Sequence, residues 1–399
     1  MSFSILQPPR ILFGRGTAAQ AVPLARGFGL RGIVVHGATP ARAAPFLDQA
    51  RTEGLSVLAL SCGREPTLSD LHAALATARG HDAQWVMAIG GGAAIDLGKA
   101  LSAMLPARGG VMDHLEVVGK GRPLVETPLP FLALPTTAGT GAEVTRNAVI
   151  GLPEHGRKVS LRDDRMIARV AIVDPALTDQ CPRGVTLASG LDAVTQVIEP
   201  YVSSKATAYT DALARPAIGS GLAALVRLMQ VEDPGARDAL AWTSLCGGLA
   251  LANAGLGAVH GFAGVIGGRT SAAHGEICGA LLAPVLAMNR ARATGAARER
   301  IEAVLGLIGA VLGVAPEAAP QALHDWARSH GLRDLAGLGV DPAAHDEIAR
   351  AAQQASSMQG NPVALPHGDL VAILRSASGH GAPSSTADTR AMASRRPRS

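Results

Sequence analysis

Two histidines and one aspartate in the second half of the sequence have residue types and a spacing that could hold a metal ion. Asp192 lies in GLDAVTQVIEP with Gln196 four residues later, and residues four apart share one face of a helix. His260, in GAVHGFAG, and His274, in SAAHGEICG, lie fourteen residues apart. One carboxylate and two imidazoles are enough to bind Zn²⁺ or Fe²⁺ with a coordination position left open. Taken alone this is weak evidence, since a single histidine is more often an ordinary helix-terminal residue.

A glycine-rich segment in the first half could bind the phosphates of a nucleotide. In WVMAIGGGAAIDLGKAL a buried strand is followed by Gly90, Gly91 and Gly92, and then by a helix that carries Asp96 and Lys99. Successive glycines let the backbone approach a ligand closely, and the start of a helix attracts a phosphate. The alternative is a simple tight turn, because the segment departs from the GxGxxG signature of dinucleotide-binding loops.

A second loop of small residues strengthens the nucleotide hypothesis. LALPTTAGTGAEVT again ends a strand, and it offers the hydroxyls of Thr136, Thr137 and Thr140 beside Gly139 and Gly141. Two such loops from neighbouring strands could enclose one nucleotide. The alternative is a threonine-rich turn whose hydroxyls bind only their own backbone.

The elements that must position these loops are strands of a parallel sheet. The runs GIVVHG, LSVLALS, WVMAIGGG, FLALPTT and VAIVDP alternate with helical patterns between Arg31 and Asp174. Runs that are apolar on both faces are typical of a mostly parallel sheet covered by helices. Ligands of such sheets bind at the carboxyl ends of the strands, where these runs end in glycine, threonine or proline.

After about Pro182 the strand signal disappears and long helical patterns follow. A chain of 399 residues exceeds what one hydrophobic core usually organises. We therefore predict an α/β dinucleotide-binding domain over residues 1–182 and an all-helical domain for the metal and substrate over residues 183–378. Within the helical domain, Gly264, Gly267 and Gly268 are predicted to mark breaks between helices.

The net charge of +4 gives no reason to expect a nucleic-acid partner. Residues 379–399 hold four arginines against one aspartate, so this tail supplies +3 and the rest of the chain only +1. The tail is rich in Ser, Pro and Ala and cannot bury enough apolar surface to offset its ordering entropy. We expect it to be a disordered basic tail.

The cysteines and the apolar segments point to a reduced, cytoplasmic protein. The four cysteines are scattered without CxxC spacing, which argues against a zinc ribbon or a disulfide framework. The N-terminus lacks the pattern of a signal peptide, and no stretch approaches the ~20 apolar residues of a membrane span. We therefore expect neither export nor a membrane partner.

Five ordered motifs together resemble the iron-containing (group III) alcohol dehydrogenase family. They are GGGAAIDLGKA, LPTTAGTGAEVT, RKVS followed by VAIVDP, GLDAVTQVIEPYVS, and HGFAG with HGEICGALLAPVLAMN. The resemblance covers residues 5–378. It implies the dehydroquinate synthase-like fold of that family, in which an N-terminal α/β dinucleotide-binding domain and an all-α C-terminal domain enclose the active-site cleft.

The resemblance also implies NAD or NADP as cofactor. It assigns the phosphates and neighbouring groups to Gly90, Gly91, Gly92 and Asp96, the ribose or nicotinamide to Thr136, Thr137, Thr140 and Lys158, and the substrate pocket to Asn147. Where NAD-preferring members often place an aspartate on the adenosine ribose, this chain has Gly37. Loss of that charge removes repulsion against a 2′-phosphate, and Arg42 follows closely. We therefore expect NADP to be accepted as well as NAD.

The metal site of the family falls on Asp192, Gln196, His260 and His274, of which the aspartate and the two histidines are the predicted catalytic residues. Glutamine stands where the family has a histidine, and its neutral oxygen would bind Fe²⁺ or Zn²⁺ more weakly than imidazole. A second departure is Gly264, a predicted substrate-site position where many members carry a histidine. If that histidine relays protons, a water chain or another residue must do so here.

The predicted activity is the interconversion of an alcohol and its aldehyde or ketone by hydride transfer, by a homodimer or a larger homo-oligomer. The metal would act as a Lewis acid on the substrate oxygen. Two alternatives stay open: a metal-independent maleylacetate-type reductase of the same fold, and a non-catalytic nucleotide-binding or scaffolding module. A lyase of the dehydroquinate synthase type is disfavoured, because the helical half is poor in lysine near the motifs.

Overall fold

The computed structural model describes residues 2–379, and its first half is built on a parallel β-sheet. The strands in this range are β1 (Ile11–Phe13), β2 (Arg31–His36), β3 (Ser56–Ser61), β4 (Trp85–Gly90), β5 (Phe131–Pro135), β6 (Asn147–Leu152), β7 (Arg157–Arg162) and β8 (Val170–Val173). Six of them form one sheet in the order β1-β8-β5-β4-β2-β3, with parallel neighbours throughout. The strands predicted from the five apolar runs are confirmed.

Helices cover both faces of this sheet, which explains why its strands are apolar throughout. The helices of this half are α1 (Ala21–Arg26), α2 (Ala44–Thr52), α3 (Leu68–Ala78), α4 (Gly92–Met104) and α5 (Val111–His114). Ile33 and Val86 belong to the hydrophobic cluster on one face. Their chain neighbours Val34 and Trp85 belong to the cluster on the other face. A strand buried on both sides needs an apolar residue at every position.

The order of the strands creates a crevice at the centre of the sheet. From β2 the chain passes to β3 at one edge, and then returns to β4 on the other side of β2. The connections that leave β2 and β4 therefore diverge, and such a switch point is where open α/β sheets bind ligands. Gly37, which follows β2, donates its N–H to the carbonyl of Ile89 at 3.1 Å, so the ends of the two strands lie side by side.

An antiparallel hairpin outside the main sheet was not among the predicted strands. β6 pairs with β7, and every second residue of β6, namely Ala148, Ile150 and Leu152, is buried. This alternation is the signature of a strand with one solvated face, and it is visible in NAVIGL. Gly156 closes the turn with φ +56°, a conformation that glycine adopts without strain.

The second half is helical, as predicted. Its helices are α6 (Arg183–Val202), α7 (Ala208–Leu228), α8 (Pro234–Ala254), α9 (Ala258–Gly267), α10 (His274–Arg292), α11 (Gly295–Leu312), α12 (Ala319–Ser329), α13 (His345–Gln353) and α14 (His367–Ala377). Within residues 183–379 the structure has no strand. The architecture of an α/β part followed by an all-α part is therefore confirmed.

The predicted break at Gly264 is wrong, whereas those at Gly267 and Gly268 are confirmed. Gly264 lies inside α9, which ends at Gly267 and is capped by Gly268. A single glycine costs a helix only about 1 kcal/mol relative to alanine, and packing elsewhere on α9 overrides that cost. The true break upstream is at Gly255, whose φ of +69° ends α8 before α9 begins.

Within residues 2–379, no single helix has both the length and the hydropathy needed to cross a membrane. Two pairs of helices that meet at a sharp bend reach that threshold only when they are counted together. The predicted disordered tail lies, apart from Gly379, outside the described residues.

Candidate metal and cofactor site

Three helices bring the predicted metal-binding side chains together. Asp192 lies in the middle of α6, His260 near the start of α9, and His274 is the first residue of α10. Asp192 Oδ1 is 3.4 Å from His260 Nε2 and 3.8 Å from His274 Nε2. The three atoms thus converge on one point, although the residues come from distant parts of the chain.

Small residues on α10 allow this convergence. A Cβ atom on Gly275 would lie 2.3 Å from the carbonyl oxygen of Ala188, and one on Gly279 would lie 2.7 Å from Leu191 Cδ1. At Gly275 the added atom would meet backbone, so only glycine lets α10 approach α6 this closely, whereas at Gly279 the side chain of Leu191 would have to move. The repeat of small residues in HGEICG therefore sets the distance between His274 and Asp192.

A buried glutamate fixes the orientation of His260. Glu199 Oε2 is 2.7 Å from His260 Nδ1, and Glu199 Oε1 accepts a hydrogen bond of 2.7 Å from the N–H of Val259. Because a carboxylate only accepts, Nδ1 carries the ring proton and Nε2 is left to bind a metal. Glu199 was missed in the sequence, although it lies seven residues, or about two helical turns, after Asp192.

The electrostatics of the cluster suit a divalent cation. Burial alone would raise the pKa of Asp192, but the nearby His274 and His260 outweigh burial and lower it. Burial lowers the pKa of His274, yet Cys278 and Asp192 raise it to about 9. Asp192 Oδ1 is buried and accepts no hydrogen bond from the described residues. A cation between these atoms would satisfy the orphaned oxygen and replace the imidazole protons, so the donor set fits Fe²⁺ or Zn²⁺.

The predicted ligand Gln196 is bound to the loop at residues 136–141, the threonine loop. Its Nε2 donates a hydrogen bond of 3.1 Å to the carbonyl oxygen of Gly139. Because that carbonyl only accepts, the amide nitrogen must face it, and this leaves Oε1 as the free end of the amide. Oε1 is buried and has no hydrogen-bond partner within residues 2–379. The side chain therefore links α6 directly to the threonine loop.

A fourth potential ligand, Cys278, was not singled out in the sequence. Its Sγ lies 3.8 Å from His260 Nε2 and 3.6 Å from His274 Nε2. One ligand atom from each of Asp192, His260, His274 and Cys278 lies within 4.8 Å of every other. The signal that could have found Cys278 is its position four residues after His274, which is one helical turn.

The two predicted cofactor loops lie against each other, as expected for neighbouring strands β4 and β5. A Cβ atom on Gly91 would lie 3.2 Å from Thr137 Oγ1, and one on Gly92 would lie 2.8 Å from Thr140 Oγ1. Gly90 packs against Gly37 at the end of β2, where an added Cβ would lie 3.1 Å from the Gly37 nitrogen. Thr136 is buried and donates its N–H to the carbonyl of Gly90 at 2.9 Å.

Lys99 holds in place the backbone at the end of the threonine segment and the start of β6. It is fully buried, and its Nζ donates to the carbonyls of Ala142, Thr145 and Asn147 at 2.7 to 2.9 Å. Burial lowers the pKa of Lys99 to about 8. It also raises the pKa of the neighbouring Asp96 to about 7, against the opposing effect of the lysine.

The hairpin carries two further predicted residues, of which Lys158 lies next to the helical half. Lys158 forms an ion pair with Glu65, and a Cβ atom on Gly267 of α9 would lie 2.7 Å from Lys158 Nζ. Asn147 Nδ2 donates to Ser160 Oγ at 3.4 Å. Arg42, which was expected near a 2′-phosphate, donates instead to the carbonyl oxygen of Leu177.

A buried glutamate behind the threonine loop should make stability depend on pH. Burial raises the pKa of Glu143 to about 7, although a hydrogen bond from its own backbone N–H and the charge of Lys99 act to lower the pKa. The folded chain then holds a proton that the unfolded chain releases near pH ~4.3, so stability falls as pH rises between these values. We therefore expect the free energy of unfolding of Glu143→Gln, relative to that of the parent protein, to rise by on the order of 2 kcal/mol as the pH increases from about 5 to about 8.

Thermal midpoints of the two proteins across this pH range measure the effect. Glu154→Gln is the matched control, because Glu154 is an exposed glutamate in the same part of the chain. A difference between Glu143→Gln and the parent that stays constant with pH would show that Glu143 does not hold its proton.

Comparison with known protein families covers nearly the whole chain. The family model "Iron-containing alcohol dehydrogenase" matches residues 8–175. The model "Fe-containing alcohol dehydrogenase family, C-terminal" matches residues 186–378.

Individual relatives agree with these matches. Long-chain-alcohol dehydrogenase 1 of Geobacillus thermodenitrificans is 33% identical over 94% of this chain and 96% of its own length. NAD-dependent methanol dehydrogenase of Bacillus methanolicus is 30% identical over 93% of this chain and 98% of its own. The crystal structure of a 1,3-propanediol oxidoreductase superposes with a TM-score of 0.85 at 27% identity, covering 94% of this chain and all of that one. The chain therefore belongs to the iron-containing alcohol dehydrogenase family.

Proposed function

We propose that the protein interconverts an alcohol and its aldehyde or ketone by hydride transfer to and from NAD or NADP, with a metal held by Asp192, His260 and His274. The observation that carries this proposal is that two imidazole nitrogens lie within 3.8 Å of one carboxylate oxygen. Gln196 connects the helix of Asp192 to the threonine loop by a direct hydrogen bond. The metal and the cofactor would thus lie next to each other, as hydride transfer between substrate and nicotinamide requires.

When bound, Fe²⁺ or Zn²⁺ supplies a Lewis acid that polarises a carbonyl or lowers the pKa of an alcohol. The protein's own residues orient the reactants. Glu199 holds His260 with Nε2 directed at the site. The helices α6, α9 and α10 bury Asp192 and shield it from water, so its charge acts with little dielectric screening.

On the cofactor side, we propose that the loops at residues 90–92 and 136–141 hold the dinucleotide at the switch point of the sheet. The start of α4 faces the phosphates, and Lys158 reaches the ribose or nicotinamide. Gly37 places no carboxylate at the end of β2, which supports use of both NAD and NADP. For Arg42 to bind a 2′-phosphate, its guanidinium would have to leave the carbonyl of Leu177.

On the substrate side, we propose that Gly264 and Asn147 line the pocket. An added Cβ on Gly264 would meet no atom within 4 Å, so this turn of α9 borders open space. The names of the relatives support an alcohol or carbonyl substrate. The alcohols in those names range from methanol to long-chain alcohols. Since Gly264 carries no side chain, we propose that water delivers the proton to and from the substrate oxygen.

A second candidate function is a metal-independent reductase of the maleylacetate type. The observation that favours it is Gln196, a neutral amide at the position of an imidazole and already bound to Gly139. In that case the substrate would be a keto acid with two carboxylates, and Asp192, His260 and His274 would not need a metal.

Removal of the metal separates these two functions. We expect a strong chelator to abolish NAD(P)-linked turnover on alcohols and aldehydes, because Asp192 and both histidines would lose the ion that they hold. Added Fe²⁺ or Zn²⁺ should restore it. The measurement is absorbance of NAD(P)H alongside metal content by mass spectrometry. Full turnover in metal-free protein would instead establish the metal-independent reductase.

We further propose that the functional units divide near Pro182, that the protein resides in the cytoplasm, and that it forms a homodimer. All four cysteines are buried and unpaired, which suits a reducing compartment. Phe13 and Trp242 are 37% and 43% exposed and stack edge to face beside β1, where a second copy could cover them. Sedimentation analysis measures the assembly.

A further inference from the structure

We propose that Cys278 is a metal ligand in this chain, and that its thiolate takes the fourth position for which Gln196 is a poor donor. This inference rests on the proposed function, since it concerns the same metal site. The family pattern points to Gln196, whereas the geometry points to a cysteine one helical turn after His274. The site would therefore consist of one carboxylate, two imidazoles and one thiolate.

Four of the distances between the ligand atoms are close to those of tetrahedral coordination. With Zn–N bonds of about 2.0–2.1 Å and a Zn–S bond of about 2.3 Å, neighbouring ligand atoms lie roughly 3.3–3.6 Å apart. The Sγ of Cys278 is 3.6 and 3.8 Å from the Nε2 atoms of His274 and His260. Asp192 Oδ1 is 3.4 and 3.8 Å from the same nitrogens. One ligand atom from each of the four residues also lies within 4.8 Å of every other, so the group surrounds a single position.

The surroundings of the thiol agree with this role. Cys278 is fully buried, and the hydrogen-bond contacts of Sγ within the described residues are the two imidazole nitrogens. Asp192 Oδ1, also buried, points into the same space and accepts no hydrogen bond from residues 2–379. A buried carboxylate oxygen without a donor is costly unless a cation accompanies it. The thiol and the oxygen thus border one buried site.

Charge and ligand chemistry favour the thiolate over the amide. Glutamine would bring a neutral oxygen, whereas a thiolate together with the carboxylate balances the two charges of the ion. On binding, a metal–sulfur bond forms and the thiol proton leaves to solvent, with no change in oxidation state. Sulfur is a soft ligand and favours Zn²⁺ over hard cations. A fifth position stays available for the substrate, since zinc expands to five ligands.

X-ray absorption spectroscopy of the zinc-loaded full-length protein tests the proposal directly. We expect one sulfur scatterer at about 2.3 Å in addition to nitrogen and oxygen at about 2.0–2.1 Å. A shell that contains only nitrogen and oxygen would overturn the proposal. Because this measurement uses the unaltered chain, it does not depend on whether a variant folds.

Two variants show which cysteine supplies the sulfur scatterer. Cys278→Ser should remove the sulfur scatterer and weaken zinc binding by about tenfold or more in a chelator competition, a loss at least as large as that caused by changes outside the ligand set. Cys181→Ser is the matched control, because Cys181 is a buried cysteine just before α6. This variant should keep both the sulfur scatterer and the affinity for zinc. A sulfur scatterer that persists in Cys278→Ser would overturn the assignment.

The activity of the unaltered zinc protein keeps this inference separate from the proposed function. A sulfur scatterer together with NAD(P)-linked turnover supports both. A sulfur scatterer without turnover on any alcohol or aldehyde supports the thiolate ligand and contradicts the proposed activity. Turnover with a shell of nitrogen and oxygen alone contradicts the ligand and leaves the activity standing.

Discussion

Replacing His260 with alanine should abolish turnover on alcohols and aldehydes while NAD(H) still binds. The imidazole contributes one of the nitrogens that converge within 3.8 Å of Asp192 and Cys278, and Glu199 holds its ring. Loss of the Lewis acid removes several kcal/mol of transition-state stabilisation, which corresponds to about a thousandfold or more in kcat/KM. Metal content should fall in parallel, because two imidazoles and a carboxylate become one imidazole and a carboxylate.

The measurements are kcat/KM, metal content by mass spectrometry, and NADH binding by fluorescence. His114→Ala is the matched control, since His114 is also a buried histidine but lies on α5, where its Nδ1 is 3.0 Å from the carbonyl oxygen of Arg122. That variant should keep its metal and its activity. If His260→Ala keeps full turnover, the metal-dependent mechanism is wrong.

Much of the fold could be predicted because burial leaves a direct trace in the sequence. Strands buried on both faces, such as GIVVH with Ile33 and Val34 on opposite sides, are continuous apolar runs. The hairpin of β6 and β7 has only one buried face, so its signal is a weaker alternation around Ile150 and Val159. The break expected at Gly264 was wrong because glycine alone does not end a helix that packs well on its other side.

The proposed metal site was only partly predictable, because its atoms meet through tertiary packing. The spacing of Asp192, His260 and His274 follows a family pattern, so these residues were found. Cys278 and Glu199 lie on the same helices but outside that pattern. Their role depends on the angle at which α9 and α10 meet α6. That angle is set by close contacts such as the one between Gly275 and the backbone of Ala188. No local pattern in the sequence indicates such contacts.

The same kind of close packing joins the cofactor loops to the helical half. Added Cβ atoms on Gly139 and Gly141 would lie 2.8 Å from Ser189 Cβ on α6 and 2.5 Å from Gly248 Cα on α8. The threonine loop is therefore held between the sheet and the helices α6 and α8, of which α6 carries the proposed ligand Asp192. Its position, and with it that of a bound nicotinamide, should be sensitive to single methyl groups.

Adding a methyl group at Gly92 should weaken NAD(H) binding by about tenfold to a hundredfold. The new Cβ would lie 2.8 Å from Oγ1 and 2.9 Å from Cγ2 of Thr140. Threonine is stiff at χ1, so relief requires the two loops to move apart, and overpacking of this kind costs about 1–3 kcal/mol. The loops predicted to enclose the dinucleotide would then no longer match it, while the metal ligands stay in place.

A double-mutant cycle shows whether the loss passes through Thr140. In a Thr140→Ala background the Oγ1 and Cγ2 atoms are gone and the nearest atom of that side chain is Cβ at 3.3 Å. Gly92→Ala should therefore weaken NADH binding less there than in the parent protein. Gly184→Ala is the matched control, a glycine in the first turn of α6 whose added Cβ meets no atom within 4 Å. An equal loss in both backgrounds would place the effect in the backbone of the glycine loop instead, since only there does the new methyl group act independently of Thr140.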